Sequence, residues 1–224
     1  MQIPATVVVN AAGLGSRLGL DRPKALLEVD GRSLIAWQMS LLRDVEDVRV
    51  VVGYQAAEVT DAVFAVRPDA MVVLNHEYSS TGTAASLMRG AAGVSTLVVS
   101  VDCDLIVHPS DLADFVSSEG PALGVLPVQS EEPVLVRVTD GPDGLTARGF
   151  DRVRQPGDLE WSGLVSFDPT SSLLGPTRGH VFEMIEGTLP MPARLIRARE
   201  VDYPDEIGPM ADWIRFLTSE RVLR

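Results

Sequence analysis

The stretch Val7-Val8-Val9-Asn10-Ala11-Ala12-Gly13-Leu14-Gly15-Ser16-Arg17-Leu18, completed by Pro23-Lys24, decides how this chain reads. Its apolar, β-branched beginning has the composition of a strand covered on both faces. The run empties into a glycine-rich turn, then an arginine, then a lysine. Gly13 and Gly15 permit a tight turn and let the main chain approach an anion that a Cβ would hold off. Arg17 offers a planar fork to phosphate oxygens, and Lys24 a mobile point charge. The segment is not a P-loop, because no Gly-Lys-Ser/Thr follows at the required distance. Nor is it the dinucleotide fingerprint, whose third glycine position holds Leu18. A cradle for a nucleoside triphosphate suits these residues best. Ala11, Ala12, Gly13, Leu14, Gly15, Ser16, Arg17 and Lys24 are its candidate contacts, with Arg17 and Lys24 as the catalytic cations.

Outward from this first strand, at residues 4–10, strands and helices alternate. Further strands are expected at 48–52, 71–74 and 96–101, and helices at 34–42 behind an N-cap at Ser33, at 56–66, 84–90 and 109–116. This order predicts one α/β domain over residues 1–224, with a Rossmann-like, doubly wound, mostly parallel sheet. Ligands of such sheets bind beyond the carboxyl ends of the strands, which is where the glycine loop, the polar loop at 75–83 and Asp102-Cys103-Asp104 all fall. After residue 120 the pattern turns antiparallel. Strand-like runs at 123–128, 134–138, 145–150 and 161–167 surround the turn Asp140-Gly141-Pro142-Asp143-Gly144 and form a hairpin or lid insertion. A helix at 177–186, a strand at 194–201 ending at Asp202 and a helix at 206–217 complete the chain. Residues 1–120 are then a nucleotide-binding half, and 121–224 an acceptor-binding half.

Composition removes other classes. A net charge of −12 argues against a nonspecific nucleic-acid or anionic-membrane binder. No apolar run approaches the roughly 20 residues of a membrane span, and no signal-peptide pattern opens the chain. One cysteine, Cys103, forms no intramolecular disulfide, so a cytoplasmic location is expected. His76, His108 and His180 show no metal-ligand spacing. The oligomeric state stays open, a homodimer included.

Asp102 and Asp104 lie two apart at a strand end and share a side if the extended geometry persists. Paired carboxylates suit a hard divalent cation. Asp202 ends a second strand and can face them, although Glu200, Asp205 and Glu206 crowd the same stretch and an acidic helix start explains several of them equally well. Asn75 and Ser86 offer uncharged hydrogen-bonding groups for a base or ribose. Past the hairpin, Arg148, Arg152 and Arg154 are candidates to neutralise an acceptor phosphate. Trp161 can line the acceptor pocket and meet a quaternary ammonium through cation–π contact. Asp158 and Glu160 are candidate partners for an acceptor ammonium.

Ala11-Ala12-Gly-Leu-Gly-Ser-Arg17-Leu18 with Pro23-Lys24-Ala25-Leu26 resembles the nucleoside triphosphate transferase family, which includes sugar-1-phosphate nucleotidyltransferases and small cytidylyltransferases. With Asn75-x-x-Tyr78, Ser86-Leu87, Asp102-x-Asp104 and Glu200-x-Asp202, the chain is most similar to the phosphocholine and phosphonate cytidylyltransferase branch. Family members often carry an asparagine where Thr83 or Ala84 stands here. The resemblance implies a nucleotide-diphospho-sugar-transferase-like fold and Mg²⁺ as cofactor, with Asp104 and Asp202 as metal ligands and Asp102 near the ribose or a metal water. The expected reaction is transfer of CMP from CTP to a small phosphorylated or phosphonate acceptor, with release of pyrophosphate. A sugar-1-phosphate nucleotidyltransferase using another nucleotide is the competing enzyme. A catalytically silent nucleotide-binding regulatory subunit is the alternative of a different class.

Overall fold

The computed structural model describes residues 5–15, 18, 19, 21–220 and 223. In chain order, β1 (Thr6–Ala11) leads through the glycine loop and a 3₁₀ turn at Lys24–Leu26 to β2 (Glu28–Val29) and β3 (Arg32–Ser33), which form a small ladder around the Asp30-Gly31 turn. There follow α1 (Leu34–Leu41), β4 (Val48–Val52), α2 (Ala56–Phe64), β5 (Met71–Leu74), α3 (Thr83–Gly90), β6 (Val98–Asp102), β7 (Leu105–Val107) and α4 (Pro109–Val116). The second half contains β8 (Ala122–Leu126), β9 (Leu135–Gly141), β10 (Gly144–Asp151), β11 (Leu159–Phe167), α5 (Val181–Ile185), β12 (Met191–Leu195), β13 (Ala198–Glu200) and α6 (Ile207–Ser219).

Among the described residues, nine strands form one sheet in the order β5-β4-β1-β6-β11-β8-β12-β10-β9. The wholly buried β1 lies between β4 and β6, parallel to both, and β5 extends the parallel run. Beyond β6 the directions mix. β11 is antiparallel to β6 and β8, β12 is parallel to β8, and β10 is antiparallel to β12 and β9. The fold is therefore a mixed α/β sheet, and the expected mostly parallel sheet is realised only in the nucleotide half. The physical reason is connectivity: hairpins such as β9–β10 need a few residues, whereas each parallel step needs a crossover helix.

Helices cover both faces. Ile35 and Met39 of α1, Val59 and Val63 of α2, and Leu112 and Phe115 of α4 pack with Val7 and Val9 on one side. Ala84 and Leu87 of α3 and Met184 and Ile185 of α5 pack with Val8 and Val51 on the other. Leu34 and Trp37 of α1 meet a third apolar cluster with Met210, Ile214 and Leu217 of α6, so α1 is buried from two sides. Its N-cap is Ser33, whose hydroxyl accepts from Ala36 N.

Two expectations of the acceptor half change. The helix expected at 177–186 contracts to α5, entered through His180 as N-cap. The single late strand at 194–201 divides in two. Ile196 N still donates to Val125 O in the large sheet, while Arg197 O receives His108 N at 2.8 Å and starts the ladder of β13 with β7. Arg197 is fastened there by Asp111 of α4, whose carboxylate accepts from both its backbone and its guanidinium.

Candidate active site

The carboxylate cluster follows from that short ladder. β6 ends at Asp102, the chain turns through Cys103 and Asp104, and β7 runs antiparallel to β13 with Leu105 opposite Glu200. Val201 N donates to Asp104 O at 3.3 Å. Asp104, Glu200 and Asp202 thereby each place a carboxylate oxygen within 4.8 Å of the others. Between them stands the ammonium of Lys24, which donates to Asp104 Oδ2 at 2.8 Å and to Asp202 Oδ1. Lys24 is the sole lysine of the chain.

The electrostatics follow from enclosure. Burial by itself would lower the Lys24 pKa, but Asp104 and Asp202 outweigh it and hold the ammonium charged well above the ordinary lysine range. Burial first, and then the neighbouring Asp104, pushes Asp102 up to about 7. Burial and the surrounding Asp104, Asp202 and Asp102 raise Glu200 well above the usual carboxylate range. Burial likewise raises the thiol of Cys103, which sits in the turn, packs with the core and also lines the cavity. Burial is the larger cause of these shifts, and the neighbouring carboxylates add to it because a single ammonium stands among them.

The cluster forms one wall of a cavity of about 340 Å³. Asn10, Ala11, Ala12, Gly13 and Gly15 line it from the end of β1, and Ser86 from α3. Gly15 has φ +66°, and a Cβ there would lie 3.1 Å from Lys24 N, so glycine is what lets the loop fold back against the lysine. Leu14 points out instead, 45% exposed and outside the lining. Ser16 and Arg17 lie outside the described residues. Asp102 and Asp104 both line the cavity, as the sequence spacing suggested, and Asp102 Oδ1 accepts from Asn10 Nδ2 at 3.2 Å. Asn75 lies outside the cavity lining. It is fully buried, its amide donates to Thr81 and Ser86 hydroxyls, and its Oδ1 accepts from Glu77 N. It organises the polar loop from beneath.

On the acceptor side, Arg152 and Trp161 line the cavity, whereas Arg148 is exposed on β10 and donates to Thr139 Oγ1, away from it. Arg154 is exposed and also outside the lining. Trp161 packs edge-on against Phe150, Phe150 meets Phe182, and the Arg152 guanidinium lies 5.4 Å from the Phe182 ring centre. Glu160 also lines the cavity; it is buried, and Gln129 N, Ser130 N and the Ser130 hydroxyl donate to its carboxylate, tying the 129–130 loop to β11. Asp158 caps a turn through Gln155 N. Of the competing acids near Asp202, Glu206 accepts from the backbone of Asp202 and Tyr203, Asp205 is exposed, and Glu200 joins the cluster. The apolar run Leu105-Ile106-Val107 directly after Asp104 was the sequence signal for the ladder that brings Glu200 in.

A glycine loop at the end of a buried parallel strand, facing a lysine inside three carboxylates, defines a nucleotide-handling α/β enzyme. Residues 7–155 match the family model of the MobA-like NTP transferase domain, and the chain belongs to that family of nucleotide-transferring enzymes. Among curated relatives, bifunctional protein GlmU of Thermobifida fusca is 31% identical over 141 residues, covering 58% of this chain and 29% of the relative. GlmU of Streptomyces coelicolor is 30% identical over 156 residues, covering 69% and 31%. The chain thus spans less than a third of the length of these relatives. The fold is similar to that of the inositol-1-phosphate CTP transferase from T. maritima, with TM-score 0.74, 20% identity and 92% of each chain covered. It is also similar to the CTP:phosphocholine cytidylyltransferase LicC of Streptococcus pneumoniae, with TM-score 0.73, 18% identity and 94% of this chain and 99% of that one covered. No helix among the described residues is long and apolar enough to cross a membrane.

Proposed function

We propose that the protein is a divalent-metal-dependent cytidylyltransferase that transfers CMP from CTP to a small phosphorylated or phosphonate acceptor. An acceptor oxygen attacks the α-phosphorus, the bond to the bridging oxygen breaks, and pyrophosphate leaves with that electron pair. The observation that carries the reading is the cavity wall where Lys24 meets Asp104, Glu200 and Asp202 opposite the Ala11–Gly15 loop. The donor set is all hard carboxylate oxygen and already draws in a cation, which fits Mg²⁺. Bound there by Asp104, Asp202 and Glu200, the metal would supply charge neutralisation between two anions. The chain's own part is to position and to stabilise charge. The glycine loop presents backbone N–H groups to the triphosphate, and Lys24 stabilises charge developing on the leaving pyrophosphate. Arg152 and the Trp161–Phe150–Phe182 wall hold the acceptor, whose oxygen is anionic near neutral pH and needs no strong base. Support for CTP comes from the two cytidylyl-type enzymes whose folds cover more than nine-tenths of this chain.

A sugar-1-phosphate nucleotidyltransferase using another nucleotide is the second reading. It is favoured by the sequence matches, which fall on proteins named GlmU. The deciding experiment offers each nucleoside triphosphate with Mg²⁺ and a panel of phosphocholine, aminoethyl- and hydroxyethylphosphonate and sugar 1-phosphates, followed by pyrophosphate release and product mass. CMP-linked product with a choline or phosphonate acceptor is expected. Turnover confined to a sugar phosphate with a nucleotide other than CTP refutes the cytidylyl reading.

A further inference from the structure

Helix α1 has no solvent face, and every residue from Leu34 to Ser40 is buried. Within it Gln38 is fully buried, where an amide is costly unless bonded. Its Nε2 donates to Asp102 O at 3.0 Å and to Leu105 O at 2.8 Å. Those two carbonyls bracket the Cys103-Asp104 turn. Its Oε1 has no hydrogen-bond partner among the described residues. A flipped amide would set an oxygen against two carbonyl oxygens, so the donor must face the turn. The turn is also tied by the backbone bonds of Cys103 N to Asn10 O and Val201 N to Asp104 O, and from the cavity side by Lys24 on Asp104 and Asn10 on Asp102. Gln38 is the side chain that pins it from below.

We infer that Gln38 is a positioning residue for Asp104: by clamping the carbonyls on either side of the Cys103-Asp104 turn it holds the Asp104 carboxylate in the metal-binding cluster. The inference rests on the metal-site reading above. It assigns the core of α1 a part in cation affinity as well as in packing. Supports behind a ligand commonly govern affinity in this way, because a ligand free to swing must be ordered again at each binding event.

The test uses Gln38→Met, which keeps length and bulk and removes both donors, with Val63→Ala in α2 as a core-destabilised control that makes no hydrogen bond to the turn. Mn²⁺ binding is measured by titration calorimetry or electron paramagnetic resonance without nucleotide, well below each melting temperature. Reactivity of Cys103, the single thiol of the chain, toward an aromatic disulfide reports turn opening independently of metal. Gln38→Met is expected to weaken Mn²⁺ binding about tenfold or more and to speed thiol labelling, while Val63→Ala keeps wild-type affinity. If Gln38→Met does not fold, Gln38→Glu retains one donor when protonated and is expected to show both changes more weakly. Wild-type Mn²⁺ affinity and wild-type thiol protection in the folded variant overturn the inference. Faster thiol labelling with unchanged Mn²⁺ affinity also overturns it, since the turn would then move without consequence for the cluster. Failure of the wild-type protein itself to bind Mn²⁺ overturns the metal reading, and the inference with it.

Discussion

Replacing Lys24 by methionine should tighten divalent-metal binding in the absence of nucleotide while abolishing transfer. Lys24 Nζ donates to Asp104 Oδ2 at 2.8 Å and to Asp202 Oδ1, both of them oxygens of the metal cluster. These groups are largely removed from solvent, with 16%, 9% and 23% of the three side chains exposed, so screening is limited. Charge-assisted hydrogen bonds of this kind contribute about 1.5–3 kcal/mol each. A cation that takes these oxygens must weaken both bonds before nucleotide is present to receive the ammonium. If about half of the lower figure for the two together is forfeited, the competition is worth about 1.5 kcal/mol, slightly more than a factor of ten in affinity. Methionine keeps the chain length and removes the competitor. The assay is nucleotide-free Mn²⁺ titration at pH 8, where proton competition for the carboxylates is least, alongside transfer measured at saturating metal. At least tenfold tighter Mn²⁺ binding with transfer lost is expected. Unchanged or weaker binding refutes the reasoning and would mean that ammonium and metal occupy separate positions.

Asp104→Asn should cost about 10²-fold or more in turnover, as expected for one lost electrostatic contact, and should remove the thermal stabilisation that Mg²⁺ gives the wild type; retained Mg²⁺ stabilisation would exclude Asp104 as a ligand. Gly163 bends β11 with φ +83°, and a Cβ there would lie 2.9 Å from Asp102 Oδ2. Gly163→Ala should therefore cost about 1–3 kcal/mol, seen by calorimetry as a lower melting temperature of roughly 2–4 °C per kcal/mol; an unchanged value removes the strain argument. Asp102, raised from 3.8 to about 7 by burial and by Asp104, binds its proton more tightly folded than unfolded. Its contribution to metal-free stability is full below pH 3.8 and is lost as pH rises through about 7. Asp102→Asn should flatten this decline, so that its melting temperature relative to wild type rises between pH 5 and pH 8. Parallel curves would show that Asp102 does not titrate in that window.

The parallel half was legible because its signals are local. Residues 48–52 and 71–74 were expected as strands and are β4 and β5, since both are short valine-rich runs that suit a sheet, β4 inside it and β5 at its edge. The helix at 109–116 was expected and is α4, its first turn opened by Pro109. The acceptor half was less legible because its pairings are remote: β11 changes partners along its length, and no local pattern tells Leu159 that it will lie opposite Val136 or Val165 that it will lie opposite Ser100. Asn75 illustrates the same limit, since its residue type fits a base contact as well as the buried loop brace it forms.

By itself the sequence determined the buried first strand and the glycine loop with Lys24 after it, since each is a matter of residue type and short spacing; Asp104 and Asp202 it offered as candidates through the family resemblance. Only tertiary structure decided that Lys24 lies between those acids and that Glu200 completes their cluster. It also placed Asp102 with Asn10, Arg148 away from the cavity and Gln38 beneath the turn. The place of Glu200 depends on the β7–β13 ladder, which joins segments nearly a hundred residues apart, while Asp102 meets Asn10 through the β1–β6 pairing and Arg148 sits on the β9–β10 hairpin. The ladder forms because the backbone N–H and C=O groups of both segments must find partners once the chain is buried, and in this fold they find one another.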